Sequence, residues 1–137
     1  MKKLGLLLAL SITMLTACSQ FKPTEPTETL MEVTIYPGGA MLQEDFENKT
    51  RQYTILMDGK FYNKKGKKYQ MSEEDTKELI DCYNKLEDGN YTETESLICD
   101  GPSYEITISN NGDKFESGAV TQIDEVDKIV EIIDSYD

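Results

Sequence analysis

Cysteines are the side chains of this chain with the most distinctive chemistry, because a thiol can be acylated, paired or oxidised. The first of the three, Cys18, closes the motif Leu15-Thr16-Ala17-Cys18 at the end of an apolar stretch that follows Lys2 and Lys3. A short positive region, an apolar core and a small residue before a cleavage point are the parts of a secretory signal. The spacing therefore predicts an exported chain that is cut next to a cysteine.

The motif Leu15-Thr16-Ala17-Cys18 resembles the lipobox of bacterial lipoproteins. This resemblance implies a diacylglyceryl thioether on the Cys18 thiol and cleavage just before this residue. Two or three acyl chains on one residue would anchor the mature chain stably, since each buried CH₂ contributes about 0.8 kcal/mol. The implied partner is a membrane, reached through the acyl chains on Cys18.

Two alternatives to the lipobox concern the same segment. The apolar run from Leu4 to Thr16 is shorter than the roughly 20 residues that a membrane-spanning helix needs, which disfavours a retained span. An ordinary cleaved signal would leave Cys18 as a free thiol. The lipoprotein interpretation places the chain in a bacterial cell envelope, on the extracytoplasmic side. The membrane would be the outer membrane of a two-membrane host, or the outer leaflet of the cell membrane of a one-membrane host.

The composition narrows the classes of function. The 137 residues include 26 acidic and 14 basic side chains and no histidine, for a net charge of −12. This charge argues against nucleic acid as a partner, because binding it requires Lys and Arg at the phosphates. Without histidine the commonest general base is missing, and we expect no catalysis, no metal and no cofactor. A carboxylate-dependent hydrolase of an envelope polymer is the alternative, since glycoside hydrolysis needs only two acidic side chains.

The other two cysteines, Cys82 and Cys99, form an even pair in an exported chain. Such a pair predicts a disulfide, which would close a loop of about 17 residues and stabilise the domain by roughly 3 kcal/mol. Two buried free thiols are the alternative. A redox-active pair is disfavoured because the two residues lack the Cys-x-x-Cys spacing.

Two further segments are candidate binding sites. A basic run contrasts with the acidic remainder, and its side chains are a candidate patch for an anionic ligand: Lys60, Lys64, Lys65, Lys67 and Lys68. The competing interpretation, which we favour, is a solvated hairpin tip whose lysines discourage edge-to-edge pairing. The loop Cys99–Tyr104 either positions the disulfide against a strand, which we favour, or docks into a partner.

The domain organisation follows from composition. Residues 1–17 form the lipoprotein signal peptide, and residues 18–29 form the lipidated N-terminus and a flexible, proline- and threonine-rich tether. A single domain follows over residues 30–137. The chain then predicts an α+β fold, a two-layer sandwich in which two helices pack on one face of an antiparallel sheet.

Hydrophobic patterns place the elements of this domain. Strands are predicted by alternation at 31–36, 40–47, 51–57, 60–63, 68–71, 104–109 and 114–117. The first helix begins after Ser72, a good N-cap, and ends at Gly89, while apolar residues at helical spacing from Ile123 to Ile133 predict the second. A loop is expected from Gly89 through Pro102.

The leading functional hypothesis is a lipid-anchored binding or interaction lipoprotein of the bacterial envelope. Its partner would be an envelope protein or polymer. A purely structural or assembly role in the envelope is a further hypothesis, besides the hydrolase.

The lipobox generates the first prediction. We expect Cys18→Ala to give an uncleaved precursor that incorporates no fatty-acid probe during metabolic labelling, because the acylated thiol is missing. The control variant Cys82→Ser should be cleaved and labelled like the wild type. Normal processing of Cys18→Ala would remove the lipoprotein assignment.

Overall fold

A computed structural model of the chain describes residues 28–96 and 100–137. Six of its strands form one antiparallel sheet: β1 (Thr29–Tyr36), β2 (Arg51–Leu56), β3 (Lys60–Asn63), β4 (Lys68–Gln70), β6 (Ser103–Ile108) and β7 (Lys114–Ser117). The order across this sheet is β4-β3-β2-β1-β6-β7. The strands β5 (Glu93–Glu95) and β8 (Thr121–Ile123) pair with each other in a small second sheet.

The described ranges contain three helices: α1 (Gln43–Lys49), α2 (Glu73–Asp88) and α3 (Asp124–Asp134). Ser72 caps α2 by accepting a hydrogen bond from the Asp75 N–H at 3.1 Å, and Gly89 ends this helix in a left-handed conformation. None of these helices is long and apolar enough to cross a bilayer.

The central strand β1 shows why the sheet has two different faces. Val33 and Ile35 are buried, whereas Glu32 of the same strand is exposed and Thr34 is half-buried. Cross-strand neighbours share a face, so the inner face continues through apolar side chains on the other strands: Tyr53, Ile55, Phe61, Tyr69, Ile106 and Ile108. The buried stripes of α2 and α3 complete one core with this face. The α+β prediction is confirmed, and the outer face is polar and partly open to water.

The predicted strand over residues 40–47 is wrong, because most of that segment is α1. Phe46 is the one apolar residue of this helix, and a single apolar residue cannot define the alternating pattern that predicts a strand. Glu44 and Asp45 lie in the first turn and Lys49 in the last, which suits the helix dipole. A side-chain hydrogen bond of 2.9 Å also joins Gln43 to Glu47. The loop expected after Gly89 likewise contains the short strand β5.

The last residues of the chain contact the sheet through polar groups. The hydroxyls of Tyr53 and Tyr69 both donate to the Asp137 carboxylate, and Arg51 pairs with Asp134 at 2.7 Å. The two tyrosine hydrogen bonds lower the pKa of Asp137. Burial, followed by the bond to Asp137, raises the pKa of Tyr53 to about 12. These groups fix the end of α3 against β2 and β4.

These contacts generate the second prediction. Because the folded state lowers the pKa of Asp137, its carboxylate stabilises the fold above the unfolded pKa of about 3.9, and this contribution is lost as the pH falls through the folded value. We expect Asp137→Asn to lower the free energy of unfolding at pH 7 by about 1 kcal/mol, since the group is exposed and screened.

Urea denaturation from pH 7 to pH 2 measures this difference, which should shrink towards zero at low pH. The exposed Asp88→Asn variant is the matched control and should lose no stability. A constant difference between wild type and Asp137→Asn across the whole pH range would contradict the assignment.

Candidate functional site

The six-stranded sheet has two ends with different chemistry. At the entry end the chain begins β1 at Thr29, which lies opposite Leu56. At the far end lie Tyr36 of β1, its neighbour Ser103 of β6 and the end of β7 at Ser117. The eight residues from Thr29 to Tyr36 span seven steps of about 3.3 Å, which separates the two ends by about 23 Å.

Exposed apolar side chains concentrate at the far end. In the described part of the chain two large hydrophobic residues are exposed to solvent. The exposed fraction is 75% for Leu42 and 79% for Val120. Leu42 precedes α1, which follows the end of β1, and Val120 follows the end of β7. Of the two, Val120 lines the concave surface beside β7.

A groove of about 680 Å³ runs along β7 at this end, and we call it the β7 groove. Five aromatic side chains line it: Tyr36, Phe46, Tyr91, Tyr104 and Phe115. Its charged side chains are Glu93, Glu105, Glu116 and Lys114. Since β7 is an edge strand, the groove reaches both faces of the sheet, and the two sides differ in character.

The outer-face side of the groove is acidic and aromatic. The rings of Tyr36 and Phe46 stack with centroids 6.0 Å apart. Glu105 and Glu116 stand directly opposite each other on β6 and β7, an arrangement of like charges that costs stability. The Lys114 ammonium lies 3.6 Å from the Glu105 carboxylate and offsets part of that repulsion. Burial, followed by the charge of Glu105, raises the pKa of Tyr36.

The inner-face side of the groove is apolar. Phe115 lies opposite the buried Ile106 and therefore points to the inner face. Its ring meets the ring of Tyr91 edge to face, with centroids 5.4 Å apart. Both rings are only half-buried, which leaves aromatic surface available beside β7.

A network of polar groups holds the floor of the groove in place. The buried Ser117 hydroxyl donates to Asp127 at 2.6 Å and accepts from the Ile123 N–H at 2.9 Å. Gln122 donates to the other oxygen of Asp127 at 2.7 Å. The network thus joins the end of β7, the strand β8 and the first turn of α3. The buried carboxylate of Glu125 extends the tie to the start of β5 by accepting from the Thr92 N–H at 2.9 Å.

The outward edge of β7 offers backbone hydrogen-bonding groups. The Ile108 N–H donates to the Asp113 carbonyl at 2.9 Å, and hydrogen-bonded pairs alternate with non-hydrogen-bonded pairs along an antiparallel ladder. Phe115 and Ser117 are therefore bonded to β6, whereas the N–H and C=O groups of Lys114 and Glu116 point away from it. No other strand within residues 28–96 and 100–137 pairs with Lys114 or Glu116, whereas the next outward group, the Gly118 N–H, donates to the Thr121 carbonyl of β8 at 2.8 Å.

Two glycines permit the close packing of the loops at the far end. A side chain on Gly118 would bring its Cβ within 2.7 Å of the Ser103 Cβ. A side chain on Gly38 would bring its Cβ within 2.5 Å of the Asp100 carbonyl oxygen. Both distances are below any real contact, so only glycine lets the turn after β7 and the segment before β6 pack this closely.

The structure only partly assembles the candidate lysine patch. Lys64, Lys65, Lys67 and Lys68 lie exposed at or beside the turn between β3 and β4. Lys67 lies over the ring of Tyr69, with its ammonium 4.8 Å from the centroid. Lys60 lies at the other end of β3 and pairs with Asp58 at 3.0 Å. The patch is at the opposite edge of the sheet from the β7 groove.

The cysteines fall partly outside the described residues. Cys18 and Cys99 both lie outside them, as do the lipobox and most of the tether. Among the described residues Cys82 is a free cysteine, buried on the inner face of α2, and burial raises the pKa of its thiol. The Cys82–Cys99 bridge stays a prediction.

No protein-family model matches this chain, and neither a curated protein nor a solved structure matches it. Within the described residues, no three acidic or cysteine side chains converge in a way that could hold a metal ion. The β7 groove is therefore characterised by its own geometry. Sequence reasoning missed it, because the aromatic residues Phe46, Tyr91 and Phe115 lie far apart along the chain and no local pattern links them.

The polar network generates the third prediction. We expect Ser117→Ala to lower the free energy of unfolding by about 1–3 kcal/mol, because it leaves the buried Ile123 N–H without its acceptor. Thermal denaturation followed by circular dichroism measures the change, with the exposed Ser109→Ala as the matched control. Equal stability of the two variants would show that the Ser117 hydroxyl does not hold the groove together.

Proposed function

We propose that the protein is a lipid-anchored binding module on the extracytoplasmic side of a bacterial envelope, and that the β7 groove is its ligand-binding surface. The anchor in this proposal is the acylated Cys18 of the lipobox, and the tether is residues 18–29. The ligand is a component of the envelope, and the protein binds it without converting it.

The position of the groove supports this proposal. The tether joins the domain at Thr29, at the entry end, whereas the groove and the exposed side chain of Val120 lie at the far end. A domain anchored through its N-terminus can therefore present the groove away from the membrane. The lysine-rich turn also lies at the far end, which makes it a poor second contact for headgroups of the same membrane.

The character of the groove supports binding rather than a purely structural role. Aromatic surface is left half-exposed on both faces of an edge strand, and two carboxylates stand opposite each other at a cost in stability. Features that cost stability without serving the core are typical of functional surfaces. The single observation that carries the proposal is this combination of open edge, aromatic walls and exposed apolar side chain at the far end.

The fourth prediction tests the proposal by photo-crosslinking in intact cells. A benzophenone amino acid at position 120 lies beside the groove, and the same group at position 110 lies in the turn at the entry end of the same hairpin. We expect a discrete adduct from position 120, none from position 110, and loss of the adduct in the Cys18→Ala background, where the protein is not processed.

Four results would contradict the proposal. Adducts of equal yield from both positions, or none from position 120, would show that the groove is not a binding surface. Adducts confined to a benzophenone at position 65 would assign binding to the lysine-rich turn instead. Cleavage of an envelope polymer by the purified protein, abolished by Glu116→Gln, would establish the hydrolase alternative.

A further inference from the structure

We infer that the ligand of the β7 groove is an extended peptide segment of an envelope protein, with basic and apolar side chains at alternate positions, which adds to β7 as a further strand. This inference rests on the proposed function and specifies its ligand. The occupant would lengthen the sheet order to β4-β3-β2-β1-β6-β7-ligand.

The backbone of β7 supplies the first requirement, because its outward groups at Lys114 and Glu116 are bonded to no backbone group of residues 28–96 and 100–137. The N–H and C=O groups of Lys114 and Glu116 point outward, as derived from the pairing of Ile108 with Asp113. An added strand satisfies these groups and gains affinity from main-chain bonds that do not depend on its sequence. Four residues at about 3.4 Å each give a paired length of about 13 Å.

The side chains beside β7 set the alternation of the ligand. Successive residues of an added strand point to opposite faces of the sheet. Residues on the inner face meet the half-buried rings of Tyr91 and Phe115, which favour an apolar or aromatic side chain. Residues on the outer face meet Glu116, whose position opposite Glu105 favours a cation.

Charge complementarity selects a basic rather than an acidic ligand. The groove contains the carboxylates of Glu93, Glu105 and Glu116 against one ammonium, that of Lys114. Lys114 is partly committed to Glu105 at 3.6 Å, so an arginine of the ligand would relieve the repulsion between Glu105 and Glu116. The whole chain carries a net charge of −12, which also steers cationic segments towards it.

The two edges of the main sheet differ in a way that agrees with this assignment. Lys68 and its neighbour Lys67 flank the β4 edge, where charged side chains discourage further pairing. The β7 edge has aromatic walls and opposed carboxylates instead. Of the two edges in the described residues, the β7 edge is therefore the one that combines outward backbone groups, at Lys114 and Glu116, with surface that would contact the side chains of an added strand.

The fifth prediction uses fluorescence anisotropy with the purified full-length protein in detergent micelles. The probes are a fluorescein-labelled octapeptide of alternating arginine and valine, its counterpart of alternating glutamate and valine, and the arginine peptide with alternate backbone amides methylated. We expect the first to bind, the second not to bind, and the third to bind about tenfold more weakly, because methylation removes the donors of one edge.

Paired variants of the protein separate strand addition from simple charge attraction. Lys114→Ala removes a cation and should bind the arginine peptide about threefold more tightly. Lys114→Pro removes the same cation together with an outward N–H at the first position of an edge strand, where proline is tolerated, and should bind about tenfold more weakly than Lys114→Ala. Glu116→Gln should weaken binding, and Glu73→Gln on α2 is the matched control.

Several outcomes would overturn the inference. Failure of the arginine peptide to bind, or equal binding of the methylated and unmethylated peptides, would exclude strand addition. Concentration-dependent dimers that Lys114→Pro abolishes would assign the edge to a second copy of the chain. The crosslinking experiment tests the proposed function separately. Adducts from position 120 in cells, together with failure of the purified protein to bind the arginine peptide, would keep the binding module and reject this ligand class.

Discussion

The alternation of side chains along β1 is the constraint on which the rest of the structure depends. This strand pairs on both sides, with β2 and with β6, and its buried residues Val33 and Ile35 fix which face of each neighbour joins the core. A shift of one residue would turn Met31, Val33 and Ile35 towards water and would turn Glu32 and Thr34 towards the helices. The inner face, the positions of α2 and α3, and the two sides of the β7 groove all follow from that register.

Local chemistry made much of the fold predictable. The strands around Asp58-Gly59 and Asn110–Asp113 were identified from alternation and turn residues, and α2 from the Ser72 cap and the Gly89 stop. The prediction failed for α1, whose charged sequence has no apolar period, and for β5, whose three residues are all exposed. Local charges and the Gln43–Glu47 hydrogen bond favour the helix in α1, whereas pairing with β8 fixes β5, and neither segment has a hydrophobic period.

The candidate site was beyond the reach of sequence because its parts are distant along the chain. Tyr36, Phe46 and Phe115 come from three different elements and Tyr91 from the segment before β5, and only the fold brings them together. The opposition of Glu105 and Glu116 depends on the register of one hairpin. The lysine run was conspicuous in sequence, yet the structure separates Lys60 from the other four. A run of similar residues can be recognised in the sequence, whereas the groove forms only when the fold brings distant residues together.

The place of β1 in the strand order also governs the timing of folding. The hairpins from β2 to β4 and from β6 to β7 are local, but the pairing of β1 with β6 must close a loop of about 66 residues. During synthesis from the N-terminus, one edge of β1 has no partner strand until β6 has been made. By then about three quarters of the chain has been synthesised. Completion of the core is therefore a late event, and non-local pairing of this kind folds slowly.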